Sequence, residues 1–203
     1  MMYSFFVGTK SVFRRLGRFP VSASLTSQNC TMRNVEIKAK IRDREDIISK
    51  AKILSNSQGF VIKQHDTFFK VPIGRLKLRK FEDGSGDLIY YDRPDTEGPK
   101  LSNFSKTAVC KEDVQGIAEV LKNSNGVIGI IQKLRMLYLV GQTRVHIDNV
   151  NGLGDFMELE VVLNEDQSLE DGQKIANELM AKLGVQQDDL IAGAYLDMKT
   201  TSN

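Results

Sequence analysis

The sequence predicts an α+β fold in which about eight strand-like runs form a sheet closed into a barrel, with helices packed around it. Three observations predict this. Strand-like runs separated by Gly, Asn and Asp clusters follow one another from Val35 onward. Apolar residues at helical spacing mark three helices between and after those runs. Charged side chains recur at every second residue in run after run, which places them on one face of the sheet.

VEIKAKI (35–41) reads as the first strand, with Glu36, Lys38 and Lys40 on one side. Asp43 can then cap a helix to about Leu54, striped by Ile47, Ile48, Ala51 and Leu54. FVIKQHDTFFKV follows as strand or extended chain, ended by Pro72 and Gly74. RLKLRKF and LIYYDR flank a charged, Gly-rich turn and predict a hairpin. Residues 94–103, with Pro94, Gly98 and Pro99, read as a loop that carries Lys100 and Ser102 over one mouth of the barrel. A helix over 111–123 has Val114, Ile117, Ala118 and Leu121 as its stripe. VIGIIQKLRMLYLV, TRVHID and DFMELEVVL are three further strands. Ser168 and Asp171 form a capping box before a helix over 169–183, and DLIAGAYLDM makes a short terminal element.

In GRLKLRK (74–80), Arg75, Lys77 and Arg79 project from one face while Leu76 and Leu78 project from the other. Like charges held this close need solvent or an anionic partner. A solvated face of an antiparallel sheet would explain any single strand. It explains the joint pattern less well, because Lys38, Lys40, Arg93, Lys133, Arg135 and Arg144 recur in the other strands with the same spacing. Glu36, Asp148, Glu158 and Glu160 recur likewise. Charges pointing inward from most strands of a closed sheet would line a polar tunnel. Arg and Lys suit phosphate oxygens, and carboxylates beside them suit Mg²⁺ or Mn²⁺, so the pattern points to a polyphosphate with a divalent metal. Lys40 and Arg75 stand near strand ends and also fit plain surface charge. His146 shares the parity of Arg144 and Asp148 and fits either the tunnel or a structural hydrogen bond. Tyr90 and Tyr91 fit wall packing better than contact with a base.

The chain has 203 residues, 41% of them hydrophobic and 27% charged, enough for one domain with a sizeable core, expected over residues 33–200. The longest apolar runs are too short for a membrane span, so no membrane partner is expected. No acidic residue precedes Glu36, whereas Lys10, Arg14, Arg15, Arg18 and Arg33 do. This basic, Ser-rich leader over residues 1–32 has the composition of a mitochondrial transit peptide, with the cytoplasm as the alternative location. The rest of the chain is slightly acidic, which argues against general nucleic-acid binding. Cys30 and Cys110 form no metal-ligand spacing, and His65 and His146 are too few for a histidine-based centre. A phosphate loop of the G-x-x-x-x-G-K type is absent, which excludes P-loop chemistry.

NVEIKAKI, HDTFFKVPIGRLKLR, LIYYDRPDTEGPKLS, KLRMLYL, TRVHIDNVNGLGDFMELEVVL and the ending AYLDM resemble the CYTH superfamily, the triphosphate tunnel metalloenzymes, and most of all its class IV adenylyl cyclase-like branch. They span about residues 34–198. The resemblance implies a closed antiparallel eight-stranded β-barrel. The family signature E-x-E-x-K falls on Asn34, Glu36 and Lys38, so its first Glu is replaced by an amide here. By resemblance Glu36 and Lys38 are catalytic. Lys40, Arg75, Lys77, Arg79, Arg93, Lys133, Arg135 and Arg144 bind substrate. Glu36, Glu158 and Glu160 hold the metal, with Asp148 in a supporting role. The expected activity is hydrolysis of a triphosphate such as ATP, thiamine triphosphate or tripolyphosphate. Cyclisation of ATP to cyclic AMP, or polyphosphate binding without turnover, are the alternatives, and a homodimer is compatible with all three.

Overall fold

The computed structural model describes residues 32–200. The basic leader and Cys30 lie outside the described residues, except that Met32 and Arg33 open the first strand. Eight strands form one closed barrel. They are β1 (Met32–Lys40), β2 (Phe60–Phe69), β3 (Arg75–Lys80), β4 (Gly86–Asp92), β5 (Lys100–Val109), β6 (Val127–Val140), β7 (Thr143–Val150) and β8 (Gly154–Val162). Around the barrel the order is β1-β5-β4-β3-β2-β6-β7-β8, with every neighbouring pair antiparallel. Closure removes all sheet edges.

Four α-helices accompany the barrel among the described residues: α1 (Arg44–Ser55), α2 (Lys111–Asn125), α3 (Leu169–Leu183) and α4 (Tyr195–Thr200). Asp43 caps α1 by accepting from the backbone N–H groups of Glu45 and Asp46, and Asn56 ends it in the left-handed region at φ 48°. Ser168 and Asp171 cap each other's backbone at the start of α3, and Gly184 ends it at φ 79°. Among the described residues no helix is long and apolar enough to cross a membrane.

The main hydrophobic core lies outside the barrel wall. Val35, Ile37 and Ala39 of β1 alternate with the inward residues and pack with Val145, Ile147, Met157, Leu159 and Val161 against α1 and α3. A second layer, Phe69, Leu78 and Val109, is covered by Val114 of α2. The cylinder is therefore apolar where it meets helices, which leaves its lumen available for charge.

One end of the lumen is plugged. Phe68, Ile131, Val150 and Phe156 are buried there beneath Tyr195 and Leu196 of α4. Gly129 makes this possible, since a Cβ at that position would lie 2.3 Å from Leu196 Cδ1.

Two elements depart from the sequence expectation. Residues 94–99 do run outside the sheet, but Lys100 and Ser102 belong to β5 and not to a loop. Asn103, Ser105 and Thr107 are exposed on the outer side of β5, so this strand lacks the apolar alternation that marks the others. The terminal element resolves into a 3-10 turn (Gln187–Asp189) followed by α4.

Gly172 sits where α3 crosses β1, and an added Cβ would lie 2.5 Å from Val35 Cγ2 and 2.6 Å from Leu163 Cδ2. The helix propensity gained by Gly172→Ala, about 1 kcal/mol, is smaller than the overpacking cost of up to about 3 kcal/mol. The variant should unfold about 2–4 °C earlier in a thermal scan, and an unchanged or higher midpoint would contradict this packing.

Candidate active site

Strand alternation sends the charged set into the lumen, where it lines a cavity of about 360 Å³. Lys38, Lys77, Arg79, Arg93, Lys106, Lys133, Arg135 and Arg144 face it, and so do the carboxylates Glu36, Asp66, Asp87, Glu158 and Glu160. The cations outnumber the carboxylates.

On the β1–β8–β7 side, register brings Glu36 opposite Glu160 and Lys38 opposite Glu158, with Arg144 opposite Glu160 and His146 opposite Glu158. Lys38 donates to Glu158, and Arg135 Nη2 donates to the other Glu158 oxygen at 2.5 Å. Arg144 Nε donates to Glu160 at 2.8 Å. Arg93 Nε stands 3.3 Å from Glu36. Burial and the neighbouring Glu160 push the Glu36 carboxyl above its ordinary range, although Arg93 opposes this. Glu158 is held well below it, because Lys38, Lys133 and Arg135 together outweigh its burial.

Asn34, where the family signature has a carboxylate, is buried. With its amide oriented to satisfy both neighbours, its oxygen accepts from Arg144 Nη2 at 3.1 Å and its nitrogen donates to the Arg33 carbonyl. The amide thus anchors Arg144 without adding negative charge.

The opposite wall is organised by Asp66, which sequence reasoning missed. It lies in β2 across from Arg79 and accepts from Arg79 Nε and Nη2, both at 2.7 Å, while Lys77 Nζ stands 3.1 Å away. Burial alone would raise the Asp66 pKa, but Lys77 and Arg79 pull it far below the usual range. Burial brings the Lys77 ammonium down to about 8 even with Asp66 beside it. A second missed pair, Asp87 and Lys106, spans β4 and β5 at 3.3 Å.

Several expected site residues stand elsewhere. Lys40 is exposed at the end of β1, outside the cavity. Arg75 also lies outside it, held by Asp95 at 2.7 Å and Asp197 at 3.0 Å. Asp148, expected in a supporting role at the metal, is fully buried and does not line the cavity. Arg135 donates to both its oxygens at 2.6 Å, and Lys133 and Tyr195 Oη each donate at 3.1 Å. Its four hydrogen bonds all come from protein donors, which makes it the counter-ion of Arg135 and Lys133 in this structure. Lys100 is buried and donates to the carbonyls of Thr96 and Ala192 at 2.5 and 2.9 Å, tying β5 to the segment before α4. Tyr195, also missed, lies under two ammonium groups, with Lys38 Nζ 3.5 Å and Lys133 Nζ 5.0 Å from its ring centre.

The remaining donors fit a hard divalent cation. His146, Glu158 and Glu160 each bring one ligand atom within 4.8 Å of the others. His146 Nδ1 is buried without a hydrogen-bond partner, 3.8 Å from Glu158 and 3.7 Å from Glu160. Burial and Arg135 lower the His146 pKa, which favours the neutral ring that a ligand requires.

A model of the CYTH domain family matches residues 32–195. The chain belongs to the CYTH domain family. A Methanocaldococcus jannaschii relative, provisionally named an adenylate cyclase, is 29% identical over 183 residues, covering 83% of this chain and 99% of its own. A solved Pyrococcus horikoshii protein superposes with a TM-score of 0.69 at 25% identity, over 81% of this chain and 98% of its own. A Vibrio parahaemolyticus structure, also provisionally named an adenylate cyclase, gives 0.67 at 18% identity, over 84% and 98%, and shows the shared fold.

Asp66 supplies the test of the buried network. Asp66→Asn leaves Lys77 and Arg79 buried without their counter-ion and should cost about 3–5 kcal/mol at pH 7. Because the folded-state pKa of Asp66 is depressed, the stability it supplies is full above its unfolded value of about 3.9 and is lost as pH falls below that. Urea unfolding of both proteins should show a wide gap at pH 7 that narrows below about pH 4. No gap at pH 7, or one unchanged into acid, would contradict the assignment.

Proposed function

We propose that this CYTH chain is a divalent-metal-dependent hydrolase of a triphosphate bound in the plugged barrel. The observation that carries the reading is the excess of Lys and Arg over carboxylates in one cavity beside the compact cluster of His146, Glu158 and Glu160. A small polyanion bringing its own cation matches both halves of that lining.

Glu36, Glu158 and Glu160 would hold Mg²⁺ or Mn²⁺, with His146 within reach of the last two. The metal would supply charge stabilisation at the phosphate oxygens in the transition state. Lys77, Arg79, Lys133 and Arg135 neutralise the phosphate chain, and their fixed positions mean that little reorganisation accompanies the reaction. Asp66 and Asp148 hold those cations in place before substrate arrives. Water attacks the terminal phosphorus, the bridging P–O bond breaks, and orthophosphate leaves. The proton released by that water leaves with the orthophosphate.

ATP cyclisation is the second reading, favoured by the provisional name of the M. jannaschii relative. In it the 3′-hydroxyl attacks the α-phosphorus and pyrophosphate departs. Both reactions use the same cations.

Incubation of the purified chain with ATP, thiamine triphosphate and tripolyphosphate, each with Mg²⁺ or Mn²⁺, separates the readings by chromatography. Orthophosphate is the expected product. Cyclic AMP with pyrophosphate would favour cyclisation, and no turnover of any compound would leave a binding module. Glu160→Gln should lower turnover at least about a hundredfold while retaining anion binding, and full activity in that variant would overturn the metal assignment.

A further inference from the structure

Three ammonium groups of the lumen rest on aromatic faces. Lys38 Nζ stands 3.5 Å from the centre of the Tyr195 ring, and Lys133 Nζ stands 5.0 Å from the same centre. Lys77 Nζ has two such neighbours, Phe68 at 5.5 Å and Tyr91 at 5.4 Å. Tyr195, Phe68 and Tyr91 all line the cavity, and Phe156 backs Tyr195 with ring centres 5.1 Å apart. Lys38, Lys133 and Tyr195 are buried, so their contacts are desolvated, the setting in which a cation over a ring is attracted most strongly.

A carboxylate in the place of Tyr195 would neutralise an ammonium group and hydrogen-bond to it, and an incoming phosphate would have to displace it. An aromatic face attracts the same group through its quadrupole and carries no formal charge. The ammonium is held in place, yet the lumen keeps its excess of positive charge. Lys38 is shared in this way between Glu158, which accepts from it, and the Tyr195 ring. The Tyr195 hydroxyl acts in the same sense on Lys133. It donates at 3.1 Å to Asp148 Oδ2, which also accepts from Lys133 and Arg135, so it competes with Lys133 for that oxygen.

We propose that Tyr195 is a positioning residue for phosphate binding, whose ring face holds the Lys38 and Lys133 ammonium groups poised for a phosphate oxygen without neutralising them. This rests on the triphosphate reading above. It gives that site a residue from α4 that acts through two lysines.

Calorimetric binding of imidotriphosphate to the full chain tests the role without turnover. Tyr195→Phe keeps the ring and loses one of the four hydrogen bonds to Asp148, so it should bind within about threefold of the wild type. Phenylalanines with one, two and three ring fluorines, incorporated at position 195, then withdraw charge from the ring face stepwise at nearly constant shape. Affinity should fall with each fluorine, about tenfold over the series, because Lys38 then turns to Glu158, which the phosphate must displace. A flat affinity series would overturn the proposal and leave the triphosphate site standing, and a falling unfolding midpoint beside it would assign the ring to packing alone. A large loss of affinity already in Tyr195→Phe would place the effect in the hydroxyl and likewise overturn it. Failure of the wild type to bind imidotriphosphate would sink the site and this role together.

Discussion

Charge taken inside a closed sheet must find opposite charge there, and this requirement governs the whole molecule. An isolated buried ammonium or guanidinium is too costly to persist, so the lumen interleaves carboxylates with cations. Asp66 serves Lys77 and Arg79, Asp148 serves Lys133 and Arg135, and Glu158 is shared between Lys38 and Arg135. These carboxylates fall into two kinds. Asp66 and Asp148 are almost wholly enclosed by protein donors, while Glu36, Glu158 and Glu160 keep part of their surface open to the cavity. The first kind fixes cations in position, and the second kind can exchange partners when a ligand enters.

The fold makes this arrangement tolerable by moving its hydrophobic core outside the cylinder. Val35, Ile37, Met157, Leu159 and Val161 pack against α1 and α3, so the same strands that present charge inward hold the domain together outward. The division also explains why α4 matters beyond packing. It closes one end of the lumen, covers the apolar floor, and sets the Tyr195 ring under Lys38 and Lys133 while its hydroxyl donates to Asp148. Segments distant in sequence thereby converge on the same few ammonium groups.

Much of this was legible in the sequence because a barrel strand writes its two faces as alternate residues. The charged parity of VEIKAKI, RLKLRK, KLR and ELEV placed Glu36, Lys38, Lys77, Arg79, Lys133, Arg135, Glu158 and Glu160 in the lumen where they stand. Cap chemistry likewise located the starts of α1 and α3. β5 was missed because its outer side is solvated and carries Asn103, Ser105 and Thr107, so no apolar period announces it. Asp66 was missed because its parity set, Ile62, Gln64, Asp66 and Phe68, mixes apolar and polar residues down the depth of the lumen. For Asp148, parity told which face the carboxylate occupies and not who its neighbours are. Register with Arg135 decides that, and register is set by tertiary pairing. Tyr195 lies in the AYLDM ending, but its sequence neighbours do not announce its partners, which come from β1, β6 and β7.

A crystal structure of the chain with imidotriphosphate would test the central claim most directly. The account predicts the phosphate chain inside the barrel, its oxygens on Lys77, Arg79, Lys133 and Arg135, with the plug of α4 in place beneath it. An anion bound to the outer wall, or a lumen that stays empty at saturating anion, would contradict it.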